Sequence, residues 1–383
     1  MLCRPLWSDL SGRPSQQDGA EMEREPKYQA IISWVKEKIS TGSFREGDRL
    51  PSENELSIQF SLSRQTVRRA LEVLENERVV TKVHGSGTYV GTGDGRPERP
   101  RYMNIAVIST YYDYYIFPPT LHGIESVLSA AGYSTQLTFT NDSIHHEKTI
   151  LKMLLERDDV DGIIVEPAKS AMPNPNLNLY RKLAERNIPI LFFNAFYQEL
   201  DMPCVRIDDV SVAEKATELL IDAGHKSIAA ILNAEDGQGR LRYTGYLRAM
   251  WKHHLRTDAR RIVLLDSDMI GNLKMVEEYL FHCLEGVTGV VCYNDAVASS
   301  LLDVFEERGI RVPEDMSIVG IDDANLAQMR NFTSIPHPKE ELGRRAASNL
   351  LRMIENPSFD GNCLFDAEPV LRNSVRKIGS GEE

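Results

Sequence analysis

Two sets of polar residues in this chain have the types and spacing for recognition chemistry. The first lies in SLSRQTVRRALEVL, residues 61–74, where Arg64, Gln65, Arg68 and Arg69 interrupt the apolar series Val67, Ala70, Leu71 and Leu74. Apolar residues three and four apart give a helix one packing face, and the long donors fall outside it. Arg and Gln reach guanine and adenine edges in the major groove of DNA, while neighbouring donors hold phosphates. The second set follows short apolar runs: Tyr112 after NIAVIST, Glu166 and Lys169 after DGIIV, Asn194 after IPILFF, Asp208 after CVRI, Asn294 after GVVCY and Asp322 after SIVGI. Carboxylates and amides near aromatics such as Tyr111, Tyr115 and Phe117 suit a polyhydroxylated ligand. Each hydroxyl donates and accepts, and a sugar's C–H face stacks on a ring.

The elements that must position the first set are short. Ile31, Ile32, Val35 and Ile39 recur at helical spacing until Gly42, and PSENEL then supplies Ser52 and Glu55 as a capping box for a second helix. Ser61 or Ser63 caps the third. Beyond Glu77, VVTKV and TYV flank His84-Gly85-Ser86-Gly87, which predicts two strands around a glycine-rich tip. A helix-turn-helix followed by such a hairpin is a winged helix. From Asn104 onward near-continuous apolar runs alternate with helical ones, the pattern of parallel sheets covered on both faces. The alternation restarts at CVRIDD, so two doubly wound lobes are expected, with ligand groups at the carboxyl ends of their strands. The expected architecture is therefore multidomain: an N-terminal winged helix-turn-helix (α+β) at 24–91, a Gly- and Pro-rich linker at 92–102 and a two-lobed α/β domain at 103–377. Residues 1–23 read as a disordered extension and 378–383 as a tail.

Composition narrows the partners. The 383 residues carry a net charge of −12, yet between Met22 and Gly93 there are 11 Lys and Arg against 10 Asp and Glu. A nearly neutral head with one basic face can bind double-stranded DNA while an acidic body points away. Five scattered cysteines without a CxxC pair indicate neither a disulfide framework nor a zinc site, and fit a reducing cytoplasm. The N-terminal residues lack the apolar core of a secretory signal, and nowhere do 18 apolar residues run together, so neither export nor a membrane is expected. No P-loop or strand-borne GxGxxG is present, and His145-His146 and His253-His254 are adjacent pairs that cannot share a helix face, so no cofactor or metal is expected. Glu166 with Asp208 or Asp322 could be read as a glycosidase pair. A binding cleft uses the same residues, and the chain is read as a non-enzyme.

Three motifs in order, PSENEL, SRQTVRRAL and VHGSGTYV, resemble the winged-helix domain of the GntR family of bacterial transcription regulators. The resemblance implies DNA contacts by Asn54, Ser63, Arg64, Gln65, Thr66, Arg68, His84 and Gly85; Lys27, just before the first helix, is a candidate phosphate contact. Asn54 stands where some members carry arginine. DAGHKSIAAI, the Arg-x-x-Gly of Arg242 to Gly245, CYNDAVA, VPEDMSIVGIDD and Leu342-Gly343 resemble the effector-binding domain of LacI/GalR regulators, relatives of periplasmic sugar-binding proteins. That implies a periplasmic-binding-protein-like fold in which Arg242, Asn294 and Asp322 hydrogen-bond a sugar, with His337 in the stretch that returns between lobes. The combination of head and body, with DYYIFPPTLHGIES, VEPAKSA and SIPHPKEELG, is similar to the bacterial arabinose-repressor family. It implies a homodimeric repressor released from a palindromic operator by L-arabinose. The residues themselves leave any neutral pentose or hexose open. A stand-alone sugar-binding transport protein is the rival from another class, and it would need an export signal and no winged helix.

Overall fold

A computed structural model describes residues 28–45, 47–77, 79–83, 87–91 and 101–379. Lys27, His84 and Gly85, the extension 1–23, the linker up to Pro100 and the last four residues lie outside the described residues. Contacts divide the chain into two compact units, Met1–Pro100 and Arg101–Glu383.

In the first unit, α1 (Gln29–Ser40), α2 (Glu53–Phe60) and α3 (Arg64–Asn76) precede an antiparallel hairpin of β1 (Val80–Val83) and β2 (Gly87–Val90). Local chemistry sets the boundaries. Ser52 Oγ accepts from the Glu55 N–H while Glu55 Oε2 accepts from the Ser52 N–H at 2.7 Å, the reciprocal cap that starts α2. Ser61 ends that helix in a left-handed conformation, φ 53°, and Ser63 starts α3 by accepting from the Thr66 N–H at 3.2 Å. Ile31, Ile32, Val35, Leu56, Val67, Leu71, Leu74 and Val80 form one buried core.

The second unit holds two parallel sheets. In chain order come β3 (Asn104–Ser109), α4 (Phe117–Ala130), β4 (Ser134–Phe139), α5 (Ile144–Glu156), β5 (Gly162–Val165), α6 (Leu177–Glu185), β6 (Ile190–Phe193) and β7 (Cys204–Ile207). Then follow α7 (Asp209–Asp222), β8 (Ile228–Asn233), α8 (Gly237–Lys252), β9 (Ile262–Leu265), α9 (Ser267–Gly271), α10 (Glu277–Cys283), β10 (Gly289–Cys292), α11 (Asp295–Glu307), β11 (Ser317–Asp322), α12 (Asn325–Arg330) and β12 (Ser334–Pro336). The last two elements are α13 (Lys339–Glu355) and β13 (Cys363–Phe365). The first sheet has the order β13-β7-β6-β5-β3-β4 and the second β12-β11-β10-β8-β9. Along β3, Ile105 and Val107 join one core with Ile124, Leu128, Leu342 and Leu350 of α4 and α13. Ala106 and Ile108 join another with Leu151, Leu154, Tyr180 and Leu183 of α5 and α6. Successive side chains thus serve opposite covered faces, which is why the strand is continuously apolar; each buried Val or Ile contributes roughly 1.5–3 kcal/mol. The α4–α13 crossing is close enough that a Cβ on Gly123 would stand 2.1 Å from the Glu340 carbonyl oxygen, and one on Gly343 equally close to that of Thr120.

One sequence expectation is corrected. The second lobe does not begin at CVRIDD: β7 pairs with β6 and β13 in the first sheet, and the crossover falls after it, at Asp208. Between β9 and β10 the chain forms α9, a 3-10 turn at Leu273–Val276 and α10, interrupted at Asn272 (φ −148°). The chain crosses between lobes three times: at Asp208, at His337 and Pro338 between β12 and α13, and after Phe365, beyond which Val370 and Ser374 bond back to Ser334 and Ile318.

Candidate DNA-reading helix and effector cavity

On the head, Asn54, Ser63, Arg64, Gln65 and Arg68 are exposed and Thr66 is half-buried. Ser63 and Thr66 are engaged with each other, their hydroxyls 2.8 Å apart at the start of α3. Arg64 and Gln65 lie between them in this first turn, both exposed, where a helix N-terminus also favours phosphate. Arg68 Nη2 pairs with Glu53 Oε2 at 3.0 Å, and Lys82 of β1 meets the other Glu53 oxygen at 3.3 Å. Those two cations lower the Glu53 pKa and hold helix and hairpin in register. Glu53 and Lys82 were absent from the sequence-derived set because their partners are 15 and 29 residues away.

The body encloses a cavity of about 500 Å³ between its lobes. The first lobe lines it with Thr110, Tyr111, Tyr114, Tyr115, Phe117, Asp142, Glu166 and Lys169; the second with Asn233, Asp236, Gln238, Arg242, Ser267, Tyr293, Asn294 and Asp322. Six residues expected from sequence are brought together there: Phe117, Glu166, Lys169, Arg242, Asn294 and Asp322. Arg242 of α8 is 2% exposed, bonded to Asp209 Oδ1 at 2.9 Å and to the Tyr293 carbonyl, with its guanidinium 4.8 Å over the Tyr293 ring. Burial pushes Asp209 up to about 7 against the pull of Arg242. Asp322, at φ 113°, accepts from the Tyr115 hydroxyl with Oδ2, while Oδ1 is buried without a hydrogen-bond partner among the described residues. Burial also raises its pKa. An acceptor left over in a polar cavity is what a ligand hydroxyl satisfies.

Below Asp322, Asp295 accepts from the Ala324 N–H at 2.7 Å and the Ser334 hydroxyl at 2.5 Å, fixing the turn after β11; its pKa is pushed up to about 8 by burial. That carboxylate reaches the turn across Gly320, where a Cβ would stand 2.2 Å from Asp295 Oδ1. Asn294 caps α11 through its carbonyl, accepting from the Val297 N–H at 2.9 Å, so its amide NH2 is the half able to donate to a ligand. Glu166 takes the backbone and hydroxyl donors of Thr110 on Oε2 and the Asn194 amide at 2.8 Å on Oε1; burial pushes its carboxyl up to about 7.

Four expected effector residues do not line the cavity. Tyr112 is turned out, 54% exposed, with its ring 4.8 Å from that of Phe139. Asp208 caps α7 by accepting from the Ser211 N–H at 3.1 Å, the commonest use of an aspartate at a strand-to-helix joint. Asn194 and His337 are buried one layer behind the wall, 3.2 Å from each other. Lys169 does line the cavity, but its ammonium is committed to Glu235 of the other lobe. Asp142, Asp236, Gln238 and Tyr293 were missed. Asp142 and Asp236 follow β4 and β8 and so carry the same strand-end signal as the residues that were found. Asp142 accepts from Ser267 at 3.0 Å and Ser170 from first-lobe loop contacts Asp236 at 2.9 Å, so the lobes meet at the mouth.

Sequence and fold comparisons agree with this layout. Residues 27–90 match the model of bacterial regulatory proteins of the gntR family, and residues 217–375 that of the periplasmic binding protein-like domain. The chain is 37% identical to the arabinose metabolism transcriptional repressor of Geobacillus stearothermophilus over 92% of its own length and 98% of that protein's. The chain belongs to the arabinose metabolism repressor family. The repressor is 36% identical to the family member of Halalkalibacterium halodurans, over 93% of this chain and 98% of that one. The transcription regulator CcpA of Lactococcus lactis superposes on 71% of the repressor and 99% of itself with a TM-score of 0.64 at 24% identity, a likeness of fold. Both resemblances drawn from motifs are borne out, and the repressor is a DNA-binding regulator rather than an enzyme. A transport protein would have no use for the gntR-type head. Among the described residues no helix is long and apolar enough to cross a membrane, and no group of three metal-ligating side chains occurs.

Proposed function

We propose that the repressor is a cytoplasmic homodimer that holds a palindromic operator and is released by L-arabinose bound between the lobes of each body. What carries this reading is the convergence on one cavity of Glu166 from the first lobe with Arg242, Asn294 and Asp322 from the second. Charged donors and acceptors that are already paired inside the wall favour a neutral polyol over an anion, and Tyr111, Tyr114 and Phe117 offer faces for a sugar ring. The names of the two bacterial relatives supply arabinose in particular. Arg64, Gln65 and Arg68 read bases or phosphates from α3, with Asn54, Ser63 and Thr66 beside them and Lys27, His84 and Gly85 completing the contact.

Sugar weakens operator binding only by the difference in its affinity for the two lobe arrangements, and a coupling of about 1–3 kcal/mol shifts operator affinity roughly 5- to 150-fold. A thermal-shift panel of L-arabinose, D-xylose, D-galactose and D-glucose tests the reading: arabinose should stabilise the protein most. A larger shift with another of the four reassigns the effector, and a flat response to all four overturns the sugar reading.

A further inference from the structure

His337 lies on the second crossing between the lobes, 3% exposed, yet does not line the cavity. Its Nε2 is 3.2 Å from Asn194 Oδ1. An amide oxygen only accepts, so this ring nitrogen carries the proton and donates. Asn194, held at φ 60°, is thereby oriented with its NH2 toward Glu166, donating to Oε1 at 2.8 Å. At its other end, the His337 backbone N–H donates to the Asp322 carbonyl at 3.1 Å. Two residues on, the Lys339 ammonium ties the carbonyls of Asp322, Asp323 and His337 together. Nδ1 of His337 is buried with no hydrogen-bond partner among the described residues. A side chain kept for volume alone would be served by Leu or Phe; one that leaves a nitrogen unpaired in order to commit the other is present for its donor.

We infer that His337 is a positioning residue: through Asn194 it fixes the Glu166 carboxyl of the first lobe, and through its backbone it holds the Asp322 turn of the second. One crossing segment thus sets ligand groups of both lobes against a single sugar. The inference rests on the proposed sugar reading of the cavity. It differs from the direct contact implied by family resemblance, because here a layer of amide separates the imidazole from the wall.

Three substitutions separate the roles. In His337→Gln the side-chain amide nitrogen reaches the place of Nε2; in His337→Asn it stops at that of Nδ1; His337→Leu has neither. Titrating L-arabinose into the full-length protein, Gln should stay within about threefold of the parent Kd, and Asn and Leu should weaken it about tenfold or more. In a Glu166→Ala background, His337→Asn should add less than about threefold, since the group it positions is gone. Stability alone would change if the role were structural. Equal affinities for Gln and Asn, an unchanged Kd in Asn and Leu, or full additivity with Glu166→Ala would each overturn the positioning role. A parent protein that keeps its operator but binds no L-arabinose would instead overturn the sugar reading beneath it.

Discussion

Arg68 of the head and Arg242 of the body are each paired with one carboxylate, at 3.0 and 2.9 Å, but the first side chain is 58% exposed and the second 2%. The same pairing does different work in the two places. Around Arg68 water screens the charge, the pair adds little to folding, and the guanidinium can exchange Glu53 for a phosphate or a base. Around Arg242 burial weakens screening, Asp209 and Asp322 are pulled against their own burial, and the arginine cannot leave without stranding them. A surface that must let go of its ligand and a cavity that must hold shape between ligands call for opposite solvation of the same chemical group.

The contrast can be broken most directly at Arg242. Arg242→Ala should cost about 3–5 kcal/mol in a denaturant melt, because it leaves Asp209 buried and uncompensated, and the folded remainder should stay on its operator when sugar is added. A loss no larger than that of a surface substitution would place Arg242 in the same class as Arg68. His337 tests the buried side by pH. Its pKa is pushed down to about 3 by burial and by Lys339 and Arg242, against 6.5 in an unfolded chain. The unfolded chain therefore binds the extra proton between those values, so the neutral imidazole's stability is full above pH 6.5 and lost as pH falls toward 3. The parent should lose about 2 kcal/mol more than His337→Gln between pH 7 and pH 5, read from melts at both. Parallel losses would mean that the imidazole is not held neutral. The smallest effects belong to the head. Arg68→Ala should leave the melting temperature unchanged and weaken operator binding at fixed salt by about tenfold. Glu53→Gln, which frees Arg68 and Lys82 from their shared carboxylate, should tighten DNA binding a few fold and steepen its salt dependence. A drop in affinity there would mean that Glu53 orders the reading face more than it occupies it.

The two regions also differ in how far a sequence discloses them. The head's devices are local: Ser52 and Glu55, or Ser63 and Thr66, lie three residues apart, and their caps form wherever that spacing starts a helix. Most of the cavity's polar groups carry a local mark too, since they follow strands, and Asn294, Asp322 and Glu166 were legible that way, whereas Arg242 lies within α8 and was legible only through the Arg-x-x-Gly resemblance. Their depth was not. A polar residue at a strand end can line the cavity as Asp322 does, back the wall as Asn194 does, or cap the next helix as Asp208 does. Which of these happens depends on backbone conformation and on partners far along the chain, 143 residues away for Asn194 and His337. The same distance hid the membership of β7, whose sheet is decided by pairing with β6 and β13 rather than by any period of its own apolar residues.

The late return of α13 and β13 to the first lobe bears on how the protein is made. On the ribosome β3 through β7 emerge together, but the helix that shares one face of their sheet with α4 and the strand that closes its edge are encoded after the whole second lobe. A nascent chain therefore carries an apolar face that α4 covers only in part until the last elements leave the tunnel. The body is synthesised as two lobes and completed as one.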